Sequence, residues 1–304
     1  MMCAQTGSSG ALKPTRSKDR DQVLLLVGRG SIGQKHEQNA KGRGVAVVTV
    51  DPDPKQGADC GDVKEAFFKF GKGYFTHALI ATPVTDHLPT LLEVLDHGIP
   101  SVLLEKPLVM PGELEHVVPL VSDDRAQRVF LGFNWRFNST VQRLKQEISR
   151  GDIGSVHVAH LSAREWLPRY QGNVVLESGS HILDTARYLF GELTLVGVHV
   201  SNHRKISDSD EAATFLLVTR EGGHISVHVN FINPGPYDYT IVAQGDTGVL
   251  YGQPDRFEPM HRVLLEAFFR HDTSVLATLE DGVRNMELLR DVFEEGWSSR
   301  VRAN

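Results

Sequence analysis

The sequence predicts an α/β protein in two parts: a doubly wound parallel sheet, then an α+β unit built on an open, largely antiparallel sheet. Three observations carry this. An apolar run, Val23 to Val27, leads into Gly28-x-Gly30-x-x-Gly33 and a helix-compatible segment, Gln34 to Ala40. Strand-like and helix-like segments then alternate as far as about Phe133, the spacing of parallel strands joined by crossover helices. Beyond that point come longer alternating segments with few helices between them, the habit of an antiparallel sheet.

The glycine run is the most informative stretch. Gly28 allows a tight turn, Gly30 leaves the backbone open to a pyrophosphate, and Gly33 lets the helix pack closely on its strand. Ser31 and Ile32 complete the loop. A second strand, Val45 to Val50, ends at Asp51, 18 residues past Gly33, where a carboxylate meets the adenosine ribose of a dinucleotide. Asp51 would repel a 2′-phosphate, and Pro52, Asp53 and Pro54 supply no Arg to receive one, so NAD is expected over NADP. A third run, Thr76 to Thr82, stops at Pro83. The segment Thr85 to His97 then has helical spacing, with Leu88, Leu91, Leu92 and Leu95 on one face. Ser101 to Leu104 supplies the next strand, and Glu105-Lys106-Pro107 sits at its carboxyl end, where a doubly wound sheet places its ligands.

In the second unit a helix is expected over Thr140 to Arg150. Strands are expected at Val156 to Ala163, Leu195 to Asn202, Ala213 to Thr219, His224 to Phe231 and Tyr239 to Ala243, and a terminal helix at Leu279 to Glu295. Between the first two of these strands, Glu177, His181, Asp184 and Tyr188 fall within an arc of roughly 60° if the segment is α-helical. A carboxylate four residues before a histidine fixes the ring's tautomer and raises its basicity. Arg164, Trp166, Arg169 and Tyr170 follow the strand 156–163 and precede that helix, which puts them at the mouth of a cleft. Two arginines there suit a phosphate or carboxylate, and a solvated loop or subunit contact is the competing reading.

Composition removes several classes. A formal net charge of −6 leaves no cationic excess for nucleic acid. No apolar run approaches the roughly 20 residues of a bilayer span. The tail over residues 1–20 is polar, reads as disordered, and has no secretory apolar core. Cys3 and Cys60 read as free thiols of a reducing, cytoplasmic compartment. His224 and His228 share one strand face without a further clustered ligand, so no metal is expected.

In combination these motifs resemble the glucose-fructose oxidoreductase / inositol dehydrogenase / MocA (Gfo/Idh/MocA) family. The matching elements are G-R-G-S-I-G-Q-K-H at 28–36, A-T-P-V-T-D-H at 81–87, E-K-P-L at 105–108, N-W-R-F-N at 134–138, E-S-G-S-H-I-L-D at 177–184 and L-E-D-G-V-R-N-M-E-L-L at 279–289. The resemblance covers nearly everything after the tail. It implies a Rossmann domain over 21–133 and a substrate and oligomerisation domain over 134–304, whose sheet forms dimer or tetramer contacts. It also implies hydride transfer between a nicotinamide and a sugar, cyclitol or related alcohol. Lys106 falls on the family's catalytic lysine and His181 on its catalytic histidine, while Glu177 stands where family dehydrogenases usually carry Asp. On this reading His181 exchanges the hydroxyl proton, Glu177 orients the ring, and Lys106 stabilises alkoxide charge. Thr82, Pro83, His87, Glu105 and Lys106 join the glycine loop and Asp51 in holding the cofactor, and Asp184 joins the Arg164 to Tyr170 loop on the substrate side. Arg136 is expected to be structural. Two other outcomes share the architecture: a cofactor-binding regulator without turnover, and an enzyme using transient redox to cleave glycosides or reduce C=N or C=C bonds.

Overall fold

Leu24 to Val27 are all buried because β1 (Val23–Val27) lies inside the first sheet. Leu24 and Leu26 enter one hydrophobic cluster, Leu25 and Val27 another. With both faces covered, the strand takes an unbroken apolar run and not an alternating one. The computed structural model describes residues 22–169, 172–205 and 207–294. The tail with Cys3, and Tyr170, lie outside the described residues.

β1 pairs in parallel with β2 (Ala46–Val50) on one side and β3 (His77–Ile80) on the other, and β4 (Val102–Leu104) and β5 (Val129–Leu131) continue the parallel sheet. The winding reverses between β1 and β3, so a crevice opens at their carboxyl ends. The connections include α1 (Ser31–Gly42), α2 (Val63–Phe70), α3 (His87–Asp96) and the single turn α4 (Leu114–Val117). In α3 the buried residues include Leu88, Leu91, Val94 and Leu95, while Leu92 is 37% exposed. The apolar stripe is centred nearer Leu91 than the spacing suggested, which leaves Leu92 at its margin.

The second sheet has the order β11-β10-β6-β9-β8-β7. Its strands are β6 (Val156–Arg164), β7 (Leu193–Ser201), β8 (Ala212–Thr219), β9 (His224–Asn230), β10 (Asp238–Gly245) and β11 (Val249–Gly252). All neighbours are antiparallel except β6 with β9. α5 (Ser139–Arg150) and α6 (Ser180–Phe190) pack on one face. On the other face Val158, Leu216, Val249 and Tyr251 stand 49–60% exposed, in register with His160 and His224.

Two pieces of the C-terminal part return to the first sheet. α7 (Met260–Arg270) lays Leu264, Leu265, Phe268 and Phe269 against Leu24, Leu26, Leu79 and Phe130, and β12 (Ala277–Thr278) pairs antiparallel with β5. Arg43 and Glu266 tie α7 to the end of α1 at 3.1 Å. The segment from α7 to β12 was expected with the second unit, and the sheet pairing corrects this. α8 (Leu279–Glu294) ends the described chain, and no described helix is long and apolar enough to cross a membrane.

Candidate active site

At the end of β1, Gly28 has φ +90°, and a Cβ on it would lie 2.5 Å from the Ala81 carbonyl oxygen. A Cβ on Gly33 would lie 2.0 Å from the Gly28 carbonyl oxygen. Neither position accepts a side chain. Gly30 has open space around it, and no side chain caps α1, so the amides at the start of Ser31–Ile32–Gly33 are left to an anion. Asp51 accepts from the Arg29 amide at 2.6 Å and the Asp53 amide at 2.9 Å. The Arg29 guanidinium is held by Glu37 at 2.8 Å and by the Gln56 carbonyl. The loop therefore fits a pyrophosphate and keeps a carboxylate, not a free cation, at the end of β2.

Two expected cofactor contacts are instead inside the protein. His87 is 1% exposed, and its ring lies between the carbonyl oxygens of Thr82 (3.0 Å) and Pro107 (2.8 Å), joining the loops after β3 and β4. Glu105 is 6% exposed and lies 2.7 Å from His36 Nε2. Burial opposes its ionisation, but the hydrogen bond and charge of His36, with His261 and Lys106 beyond, bring its pKa down to about 2. A Cβ on Gly132 would come within 2.9 Å of this carboxyl group, so glycine makes its room. The ligand-type atoms of His36, Glu105 and His261 all lie within 4.8 Å of one another, a cluster that sequence reading missed in favour of His224 and His228. The His36–Glu105 hydrogen bond already engages two of the three. Thr82 and Pro83 do follow β3 at the crevice, and the Thr82 hydroxyl is buried without a partner.

Across the crevice, residues Val175–Gly179 form a π-helical turn before α6. The Ser180 hydroxyl donates to the Leu176 and Glu177 carbonyls at 2.6 and 3.0 Å, satisfying acceptors that the wide turn would strand. The widening breaks the 100° arithmetic, and the expected common face is split. Glu177 Oε2 lies 2.9 Å from Lys106 Nζ, so the carboxylate holds the lysine across the crevice. His181 Nδ1 is buried without a partner, and burial and the nearby Lys106 charge hold the ring well below its ordinary pKa. Glu177 as the partner orienting Nδ1 is thereby corrected. Asp184 is fully buried in a two-point pair with Arg136 (2.6 and 2.9 Å), so it is a structural anchor and not a substrate contact. Tyr188 accepts from Gln142 at 2.9 Å.

A recess of about 40 Å³ beside His181 is lined by Trp135, Ala163, Glu165, Ser178, Tyr237 and Tyr239, among others. Sequence reading missed Glu165 and Tyr237. Strand alternation held the signal for Glu165, since Ala163 and Glu165 share the face opposite to Arg164. Burial raises the pKa of Glu165, against a 3.2 Å hydrogen bond from Ser178 and the charges of Arg256 and Lys106. Arg164 instead pairs with Asp238 and lines a groove of about 610 Å³ on the other face of the sheet, with His160, Ser162 and His228. Trp166, 47% exposed, lies under the Arg204 guanidinium at 5.8 Å, and Arg169 is exposed on the following turn. The expected clamp of Arg164 with Arg169 is corrected: the period of β6 turns Arg164 away from the recess, into an ion pair with Asp238 on the other face of the sheet.

Residues 141–251 match the family described as GFO/IDH/MocA C-terminal domain. The chain is similar to inositol 2-dehydrogenase 4 of Saccharopolyspora erythraea, 29% identical over 77% of this chain and 75% of that protein. It is also 28% identical to the myo-inositol 2-dehydrogenase of Thermotoga maritima, over 55% of this chain and 54% of that one. The crystal structure of GenD2 from gentamicin A biosynthesis, in complex with NAD, superposes with a TM-score of 0.79 at 18% identity, covering 96% of this chain and 98% of that one. The match over residues 141–251 and the shared two-part fold agree in relating the chain to Gfo/Idh/MocA dehydrogenases.

Proposed function

We propose that the protein transfers hydride between NAD(H) and a secondary alcohol or ketone of a sugar, sugar derivative or cyclitol. That it is an NAD-dependent oxidoreductase of CH–OH groups goes with those relatives. The observation that carries the finer reading is that Lys106 reaches across to Glu177, four residues before a buried His181 that burial and the Lys106 charge keep neutral. When bound, the nicotinamide accepts or gives hydride. His181, kept neutral by burial, takes the hydroxyl proton during oxidation and returns it during reduction. Lys106, steered by Glu177, donates a hydrogen bond to the same oxygen as its charge grows. Glu165 accepts from or donates to a neighbouring hydroxyl, and Trp135 and Tyr237 wall the ring of the substrate.

Lys106→Ala and His181→Ala should each lower turnover by about 10² to 10⁴ while leaving NAD(H) affinity nearly intact. Wild-type turnover in both would refute the roles. Because His181 is depressed, the acid limb of kcat/KM should fall below the ordinary imidazole range near 6.5. Asp51 supports NAD over NADP, and calorimetric titration with both cofactors checks it. Self-association through the exposed Val158, Leu216 and Tyr251 face belongs to the same proposal, with light scattering as its measurement. So does a reducing, cytoplasmic setting, supported by the buried free thiol of Cys60.

A further inference from the structure

The loop 253–259 links β11 to α7 and brings Arg256 to the recess. Its guanidinium lies 4.8 Å from the Tyr237 ring centroid and 5.1 Å from that of Phe257. Tyr237 lines the recess with His181 and is stacked on Trp135 at 6.3 Å, so Arg256 borders the same space. Its charge reaches Glu165, where it eases an ionisation that burial opposes. No carboxylate among the described residues forms an ion pair with it, in contrast to Arg136, Arg164 and Arg204.

Aromatic rings engage the flat faces of a guanidinium. The N–H donors radiate in its plane, and that edge is the part that grips an oxyanion at two points. An exposed cation flanked by two rings, with no ion-pair partner among the described residues, is prepared for an anion from outside. Resting on the oxidoreductase reading above, we propose that Arg256 clamps a carboxylate or phosphate carried by the substrate, away from the carbon that exchanges hydride. This replaces Arg164 and Arg169 as the source of anion selectivity.

The test is equilibrium binding with NAD present, followed by the fluorescence of Trp135 and the other tryptophans. The probes are glucose, glucuronate and glucose 6-phosphate, with inositol and inositol phosphate as a second series. In the wild type at least one charged probe should bind about 10- to 100-fold tighter than its neutral parent, the range of a charge-assisted hydrogen-bond pair. Arg256→Gln should erase that difference without changing NAD affinity, and Arg256→Lys should keep part of it. The carboxylate and phosphate arms identify which anion the site prefers. Equal binding of charged and neutral probes, binding of none of them, or an equal loss for both kinds in Arg256→Gln overturns the proposal. Since binding needs no turnover, an inert protein that still selects the anion defeats the oxidoreductase reading alone. An active enzyme indifferent to charge defeats the clamp alone.

Discussion

Glu105 and Glu165 stand on opposite sides of one crevice, both shielded from water, and their acidities move in opposite directions. Burial pushes each toward the neutral acid. At Glu105 a histidine 2.7 Å away, with His261 and Lys106 behind it, reverses that push and brings the pKa to about 2. At Glu165 the strongest local partner is a hydroxyl at 3.2 Å, and burial prevails. At these two positions burial sets the same starting direction, and only Glu105 has a charge close enough to overturn it. Glu105 is consequently a fixed anion that braces the Rossmann half, whereas Glu165 is left able to exchange hydrogen bonds with a visitor.

The largest effect on stability is expected at the most completely paired acid. Asp184→Ala leaves the buried Arg136 with only its longer, 3.3 Å pairing to Asp281 and should cost about 3–5 kcal/mol in urea unfolding. A cost near zero would mean that direct pairing does not govern buried carboxylates here. Glu105→Gln should cost roughly 2 kcal/mol at neutral pH, since it weakens a charged hydrogen bond to His36. Its pH dependence is the sharper measure. The folded pKa is depressed from an ordinary value of 4.5, so the stabilisation is complete above about 4.5 and disappears as pH falls toward 2. Unfolding curves of wild type and variant should converge through that window. Glu165→Gln should have the smallest effect and the opposite sign. Its folded pKa is raised, so the wild type loses stability as pH rises past the ordinary carboxyl value, and the variant should be equal or slightly more stable at pH 7. Destabilisation at pH 7 but not at pH 4 would break the contrast.

Much of the first half was legible because its chemistry is local. Gly28, Gly33 and Asp51 are fixed by backbone clearance and strand length, which spacing records. Lys106 was legible as a strand end. The second half was less so, because there position depends on partners distant in the chain. A helical wheel cannot register the π turn that sends Glu177 to Lys106 and leaves His181 Nδ1 without a partner. Asp184 looked like a site residue until Arg136 came within 2.6 Å of it. Arg164 could have been placed by counting from Ala163, since adjacent residues of a strand face opposite ways. Arg256 had no local signal, because only the fold brings 253–259 beside Tyr237.

The pairing of Leu131 with Ala277 imposes an order of events during synthesis. A ribosome makes the five parallel strands first, and Leu24, Leu26, Leu79, Leu103 and Phe130 then wait for Leu264, Leu265, Phe268 and Phe269, which lie more than 130 residues beyond the end of β5. Until then that face of the sheet is wet and apolar, the kind of surface that nascent chains must keep from one another. A fragment stopped at residue 133 would retain the glycine loop and lack the covering helix. It should therefore be recovered in the insoluble fraction, and supplying residues 253–294 as a second polypeptide should restore it to solution.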